Sequence, residues 1–164
     1  MKKLYLVGGT MGVGKTTVCQ QLKRKLDRSV FLDGDWCRDA HPFQVTEETK
    51  YMVMRNICFL LNQFIRCSAY DHIVFCWVMH EQSIIDTILN SLDLTQCEVR
   101  SISLLCDEKD LRARLQQDIN AGKRTPDVIG RSLARVPLYR QLKTLKVDTT
   151  GKTVREIADE LVRI

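Results

Sequence analysis

Short apolar runs alternate with amphipathic stretches along the whole chain. Five of these runs are predicted to be strands, over residues 4–7, 30–33, 72–79, 99–106 and 145–147. Runs of this length without polar alternation are typical of strands buried on both faces, as in a parallel sheet.

Between the runs, apolar residues recur every three or four positions, which is the spacing of a helix with one buried face. We expect helices over residues 18–26, 46–67, 81–92 and 110–121. Strands alternating with helices predict an α/β fold: a parallel sheet with helices on both faces and ligands at the carboxyl ends of the strands.

Two further helices have recognisable start signals. Thr125-Pro126-Asp127 provides an N-cap followed by proline at the first helical position, and Pro137 is expected to kink or stop the helix that follows. The last helix begins after a capping box formed by Thr153 and Glu156. With 164 residues, the chain is expected to form a single domain, 1–164.

The composition is that of an ordinary globular protein, with 45% hydrophobic and 27% charged residues. The apolar run after Lys2 and Lys3 is too short for a signal peptide, so we expect a cytoplasmic protein with no membrane anchor. The seven cysteines are odd in number and include no C-x-x-C pair, which favours free thiols in a reducing compartment over disulfides or zinc.

The net charge of +5 comes from one segment. Residues 107–146 hold ten basic and five acidic side chains, whereas the rest of the chain holds fifteen of each. Such a surplus suggests a polyphosphate or nucleic acid as partner. Tyr139 is the only aromatic residue in the segment, which argues against a stacking platform for single-stranded nucleic acid and leaves the polyphosphate as the favoured partner.

The chemistry of the chain is indicated most directly by residues 9–16, which read G-T-M-G-V-G-K-T and match the phosphate-loop pattern G-x-x-x-x-G-K-[ST]. The motif lies between a predicted strand and a predicted helix, as its mechanism requires. Lys15 is expected to reach the outer phosphates and Thr16 to offer its hydroxyl to Mg²⁺. The predicted nucleotide-binding residues here are Gly9, Thr10, Met11, Gly12, Val13, Gly14, Lys15, Thr16 and Thr17.

A second candidate motif is Leu32-Asp33-Gly34-Asp35, at the end of the second predicted strand. Phosphoryl transfer needs an oriented nucleophile and neutralised phosphate charge, and two carboxylates on a tight turn could serve both needs. A turn whose aspartates only bond their own backbone is the alternative. No aspartate stands at the end of the third strand, which puts more weight on Asp33 as a magnesium residue.

With this phosphate loop and this L-D-G-D stretch, the chain resembles the P-loop kinases of small molecules. That superfamily includes nucleoside monophosphate, shikimate, gluconate and adenylylsulfate kinases and chloramphenicol phosphotransferase. The resemblance implies a three-layer P-loop NTPase fold with strand order 2-3-1-4-5, Mg-ATP as donor, and a short lid within residues 119–136.

The resemblance also implies roles for individual residues. Asp33 would support magnesium through water, as a metal residue with Thr16, and Asp35 would face the acceptor, although the reverse assignment stays open. Arg114 would stack on adenine. Arg131 and Arg135, on one face of the helix after the lid, would act on the transferred phosphate with Lys15, and Lys123 and Arg124 would form the lid tip.

The expected function is transfer of the γ-phosphate of ATP to a hydroxyl of an unidentified small molecule, by a monomer or homodimer. Residues 36–51 would form the acceptor wall, in which Arg38 and His41 could contact an anionic group and Trp36 and Phe43 a ring. Trp77 and His80 could line the same pocket or be a core and a surface residue. The alternatives are a nucleoside or nucleotide kinase, a regulatory ATP-binding protein and a polynucleotide-end kinase.

Overall fold

The computed structural model describes all 164 residues as alternating strands and helices. The strands are β1 (Lys2–Gly9), β2 (Ser29–Asp33), β3 (His72–Trp77), β4 (Cys97–Leu105) and β5 (Leu145–Asp148). The helices are α1 (Lys15–Lys25), α2 (Glu47–Arg66), α3 (Gln82–Asn90), α4 (Glu108–Asn120), α5 (Val128–Gln141) and α6 (Val154–Val162), with a 3₁₀ turn over Gly34–Cys37.

The five strands form one parallel sheet in the order β2-β3-β1-β4-β5. This confirms the predicted fold class and strand order. β1 lies at the centre, and its Gly8 is opposite Trp77 of β3 and Ser103 of β4. The carboxyl ends of β1, β2 and β3 therefore meet at one edge of the sheet, where the phosphate loop begins.

Side chains of β1 alternate between two apolar layers, one on each face of the sheet. Tyr5 and Val7 pack in a layer with buried residues of α1, α4 and α6. Leu4 and Leu6 pack in the other layer, with buried residues of α2 and α3. Because every side chain from Leu4 to Val7 is at most 1% exposed, β1 is fixed in position and so is the loop that follows it.

The start of α5 differs from the prediction. The helix begins at Val128, and its N-cap is Asp127 rather than Thr125. The Thr125 hydroxyl instead contacts the Asp127 carboxylate, and a hydrogen-bonded turn from Thr125 to Val128 precedes the helix. Pro137 does not stop the helix, which continues to Gln141; the buried Tyr139 in this last part packs in the α2 and α3 layer.

All seven cysteines are free thiols in the structure; five are buried, and Cys37 and Cys67 are partly exposed. None of the helices combines the length and the apolar character that crossing a membrane would require.

One close contact links the 3₁₀ turn to the end of β3. A Cβ atom at Gly34 would lie 2.4 Å from Trp77 Cγ and 2.9 Å from Trp77 Cβ, so only glycine fits without movement of the indole or the turn. This contact sets how closely the turn after β2 approaches β3, which is also where Asp33 and Asp35 lie.

We therefore expect Gly34→Ala to lower the free energy of unfolding by about 1–3 kcal/mol, as overpacking does. Gly130→Ala is the matched control, because a Cβ there meets no atom within 4 Å. Since alanine is the better residue inside a helix, the control should gain up to about 1 kcal/mol. Urea unfolding of the two variants measures both values, and equal effects would contradict the packing argument.

Candidate active site

A cavity of about 400 Å³ opens at the carboxyl edge of the sheet, in front of the phosphate loop. Ten of the residues predicted from the sequence line it: Met11, Gly12, Gly14, Lys15, Thr16, Thr17, Asp33, Asp35, Arg114 and Arg124. The structure thus brings two separate segments to one site. The phosphate loop follows β1, whereas both aspartates of the L-D-G-D stretch lie at or just after the end of β2.

The shape of the phosphate loop depends on its glycines. Gly12 has a φ of +82°, and a Cβ atom there would lie 2.4 Å from Leu115 Cδ2 of α4. The loop leads directly into α1, whose first turn carries no acidic residue. Its free backbone N–H groups and helix dipole therefore make this end of the cavity favourable for phosphate oxygens.

Lys15 is held at the mouth of the loop. Its ammonium donates a hydrogen bond of 3.1 Å to the carbonyl of Thr10. Burial lowers the pKa of Lys15, and the nearby carboxylates of Asp35 and Asp33 act in the opposite direction. The two carboxylates offset part of the cost of desolvating an ammonium at this site.

Thr16 and Asp33, the two predicted metal residues, are in direct contact. The Thr16 hydroxyl donates a hydrogen bond of 2.6 Å to Asp33 Oδ2, and the backbone N–H of Asp35 donates one of 3.0 Å to Asp33 Oδ1. Asp33 is only 5% exposed. A hydroxyl and a buried carboxylate side by side are a donor set that fits a hydrated Mg²⁺.

A second, smaller cavity of about 190 Å³ adjoins the first, between the 3₁₀ turn and α2. Its lining consists of Gly34, Asp35, Arg38, Phe43, Val53 and Trp77. Asp35 is the one residue that lines both cavities. Asp35 therefore borders both the phosphate cavity and a separate pocket large enough for a small molecule.

The aromatic residues predicted near the acceptor separate into two groups. Phe43 and Trp77 line the smaller cavity. Trp36 instead packs on Phe31 of β2, with ring centroids 5.2 Å apart, and Phe31 belongs to the layer of α1 and α6. His80 lines neither of the two cavities; it is partly buried beside Glu81, and burial together with the charge of Arg135 lowers its pKa.

Arg114 connects the phosphate loop to the loop after β5. Its guanidinium donates to the carbonyl of Val13 at 3.0 Å, to the Thr149 hydroxyl at 3.1 Å and to the Thr149 carbonyl at 2.9 Å. The side chain is thus held by three acceptors and still faces the cavity. Stacking of this group on adenine stays a prediction.

Of the three arginines predicted to act near the lid, one lines the cavity and two do not. Arg124 lines it and makes an ion pair of 3.1 Å with Asp118 of α4, which lines it too. Arg131 makes an ion pair of 2.9 Å with Asp127 and, like Arg135, is not in the lining. Action of Arg131 and Arg135 on the phosphate stays a prediction, as does a lid over residues 119–136.

Three other predicted residues of the phosphate loop are buried beneath the surface of the cavity. Gly9, Thr10 and Val13 are buried and do not line it. The Thr10 hydroxyl donates to the carbonyl of Ser132 at 2.7 Å, and the Ser132 hydroxyl donates to the carbonyl of Met11 at 2.6 Å. Gln117, Asp118 and Val78 were not predicted from any sequence motif; they line the cavity because α4 and the end of β3 fold against the loop.

Comparison with known proteins agrees with this geometry. A family model described as an AAA domain matches residues 6–132, which is more than half of the chain. The chain belongs to this family. No curated protein is significantly similar to it in sequence.

Several solved structures have the same fold as this chain over nearly the whole length of the chain. A tunicamycin resistance protein from Deinococcus radiodurans is 18% identical with a TM-score of 0.75, covering 99% of this chain and 95% of its own. A gluconokinase from Sinorhizobium meliloti 1021 is 18% identical with a TM-score of 0.72, covering 98% and 90%. A shikimate kinase from Acinetobacter baumannii, in complex with shikimate, is 20% identical with a TM-score of 0.66, covering 99% and 93%. The fold is that of the P-loop small-molecule kinases.

Because three acceptors hold Arg114, we expect Arg114→Lys to lower the free energy of unfolding by about 1–3 kcal/mol; one ammonium cannot span them. Arg112→Lys is the matched control, since exposed Arg112 contacts only Glu108 on its own helix. The control should change stability by no more than about 0.5 kcal/mol. Urea unfolding distinguishes the two, and a loss in the control as large as in Arg114→Lys would contradict the bridging role.

Proposed function

We propose that the protein transfers the γ-phosphate of Mg-ATP to a hydroxyl of a small molecule bound in the 190 Å³ cavity. The position of Asp35, which lines both this cavity and the phosphate cavity, is the observation that carries the proposal. A transferable phosphate and its acceptor would meet at that carboxylate.

The donor half of the reaction would rest on the phosphate loop. Backbone N–H groups at the start of α1 would bind the β- and γ-phosphate oxygens, and Lys15 would offset the negative charge that shifts during transfer. Thr16 and Asp33 would hold Mg²⁺, which supplies further neutralisation of phosphate charge when bound. Arg124, in the same lining, is placed to approach the outer phosphates.

The acceptor half would rest on Asp35. Its carboxylate would orient the acceptor hydroxyl and take its proton as the new oxygen–phosphorus bond forms and the bond to ADP breaks. Because Asp33 bonds the backbone N–H of Asp35, the two carboxylates are kept in separate roles on one short turn. This geometry favours Asp33 as the metal residue over the reverse assignment.

Two observations favour a kinase over a regulatory ATP-binding protein. A second cavity adjoins the phosphate cavity, which binding of ATP alone would not need. Two of the structural neighbours are named as kinases of a sugar acid and of shikimate. The direct test is transfer of labelled γ-phosphate with Mg²⁺ against nucleosides, nucleotides, sugar acids and hydroxylated antibiotics.

Asp35→Asn should lower kcat for transfer by about 100-fold or more, because an amide cannot accept the hydroxyl proton. The KM for ATP should stay within about threefold. Asp27→Asn is the matched control, an exposed carboxylate outside both cavities and outside residues 36–51, and it should retain full activity. Lys15→Ala should abolish transfer. Unchanged turnover in Asp35→Asn would refute its role toward the acceptor.

Asp33→Asn should raise the Mg²⁺ concentration needed for half-maximal ATP binding by about 10–100-fold, because the buried carboxylate beside Thr16 is lost from the metal's surroundings. Titration of ATP binding against Mg²⁺ measures this shift. Asp27→Asn again serves as the control. An Asp33→Asn variant with the Mg²⁺ dependence of the unmodified chain would show that the metal is held elsewhere.

A further inference from the structure

Resting on the proposed function, we propose that Ser132 of α5 is a positioning residue for the phosphate loop: its hydroxyl aims a backbone N–H of the loop at the bound phosphates. The Ser132 hydroxyl donates a hydrogen bond of 2.6 Å to the carbonyl of Met11, although the two residues are 121 positions apart in the chain. Ser132 is fully buried and does not line the cavity, so it would act through the loop without touching the nucleotide.

The hydrogen bond from Ser132 fixes the orientation of the peptide unit that joins Met11 to Gly12. This unit is trans, so its carbonyl oxygen and its N–H point in opposite directions. Because the Met11 carbonyl is held toward α5, the N–H of Gly12 faces away from α5, on the side where Gly12 lines the cavity. This N–H donates to no backbone acceptor, which leaves it available to a phosphate oxygen.

A second hydrogen bond joins the loop to α5 in the reverse direction. The Thr10 hydroxyl donates to the Ser132 carbonyl at 2.7 Å, and the two hydroxyl oxygens lie 3.0 Å apart. Thr10 is only 3% exposed, so water does not compete for these bonds. The carbonyl of Thr10 in turn accepts a hydrogen bond of 3.1 Å from Lys15. The pair of hydroxyls, here called the Thr10–Ser132 clamp, therefore connects α5 to both the loop backbone and the loop lysine.

The Met11–Gly12 peptide unit depends on this clamp because the loop itself does not hold it. No backbone N–H donates to the Met11 carbonyl, and Gly12, with a φ of +82°, has the conformational freedom of a glycine. Without the Ser132 hydroxyl, this unit would have to be ordered when the nucleotide binds, at a cost in conformational entropy. Loss of the hydroxyl is therefore expected to weaken nucleotide binding and not only to destabilise the fold.

The test compares two buried serines in the full chain. Ser103 of β4 is fully buried as well, and its hydroxyl shares a hydrogen bond of 2.6 Å with the Thr144 hydroxyl instead of with the phosphate loop. Ser132→Ala and Ser103→Ala should both unfold at lower urea concentrations than the unmodified chain. Isothermal titration calorimetry with Mg-ADP should show binding about 10-fold weaker for Ser132→Ala, but within about twofold of the unmodified chain for Ser103→Ala.

Two further variants separate the hydroxyl from the packing of the side chain. Ser132→Thr keeps a hydroxyl and should recover most of the affinity for Mg-ADP. Thr10→Val removes the other hydroxyl of the clamp with little change of shape, and it should also weaken binding. Because both hydroxyls hold one loop, the double variant should lose less affinity than the product of the two single losses. Thr10→Val provides the test by itself if Ser132→Ala does not fold.

The proposal is overturned if Ser132→Ala or, in its place, Thr10→Val binds Mg-ADP as tightly as the unmodified chain does. Equal losses of affinity in Ser132→Ala and Ser103→Ala would overturn it as well, as would a Ser132→Thr variant that recovers stability but not affinity. The unmodified chain distinguishes the two levels. Nucleotide binding and phosphate transfer that Ser132→Ala leaves unchanged refute only the positioning role, whereas an unmodified chain that does not bind Mg-ATP refutes the proposed function.

Discussion

The parallel pairing of β1 with β3, and of β3 with β2, is the constraint on which the whole site depends. It places Gly8, Trp77 and the end of β2 at one level of the sheet. The phosphate loop leaves β1 there, and the turn with Asp33 and Asp35 leaves β2 there. Two segments about twenty residues apart in sequence therefore form one cavity, and neither has to be flexible to do so.

The electrostatics of the cavity follow from this arrangement. A lysine, a helix start and two carboxylates meet in a partly buried space, and each is costly to desolvate alone. Together they offset one another, as the opposing effects of burial and of Asp33 and Asp35 on the pKa of Lys15 indicate. In the proposed reaction, a triphosphate with its cation would enter such a balanced site by exchanging partners instead of adding uncompensated charge.

The sequence predicted what depends on local pattern and missed what depends on distant contacts. The phosphate loop and the aspartate pair are short motifs with fixed internal geometry, and the strand order followed from the family they resemble. The Gly34–Trp77 contact and the separation of Trp36 from Phe43 depend on how the 3₁₀ turn packs, which no local pattern encodes. The cap of α5 was predicted wrongly because the Thr125 hydroxyl has a competing partner in Asp127.

The contrast between local motifs and distant contacts also applies to the two parts of the proposed site, the phosphate cavity and the smaller cavity. In the proposed reaction, the donor half would be built from backbone N–H groups and a few side chains around the phosphate loop. The acceptor half would be built from side chains of residues 34–53, where a substitution can alter charge without altering the fold. Because Asp35 lines both cavities, the segment that would determine the acceptor is attached directly to the aspartate pair beside the phosphate loop. Acceptor specificity would then be free to vary while the distance between acceptor and phosphate is kept.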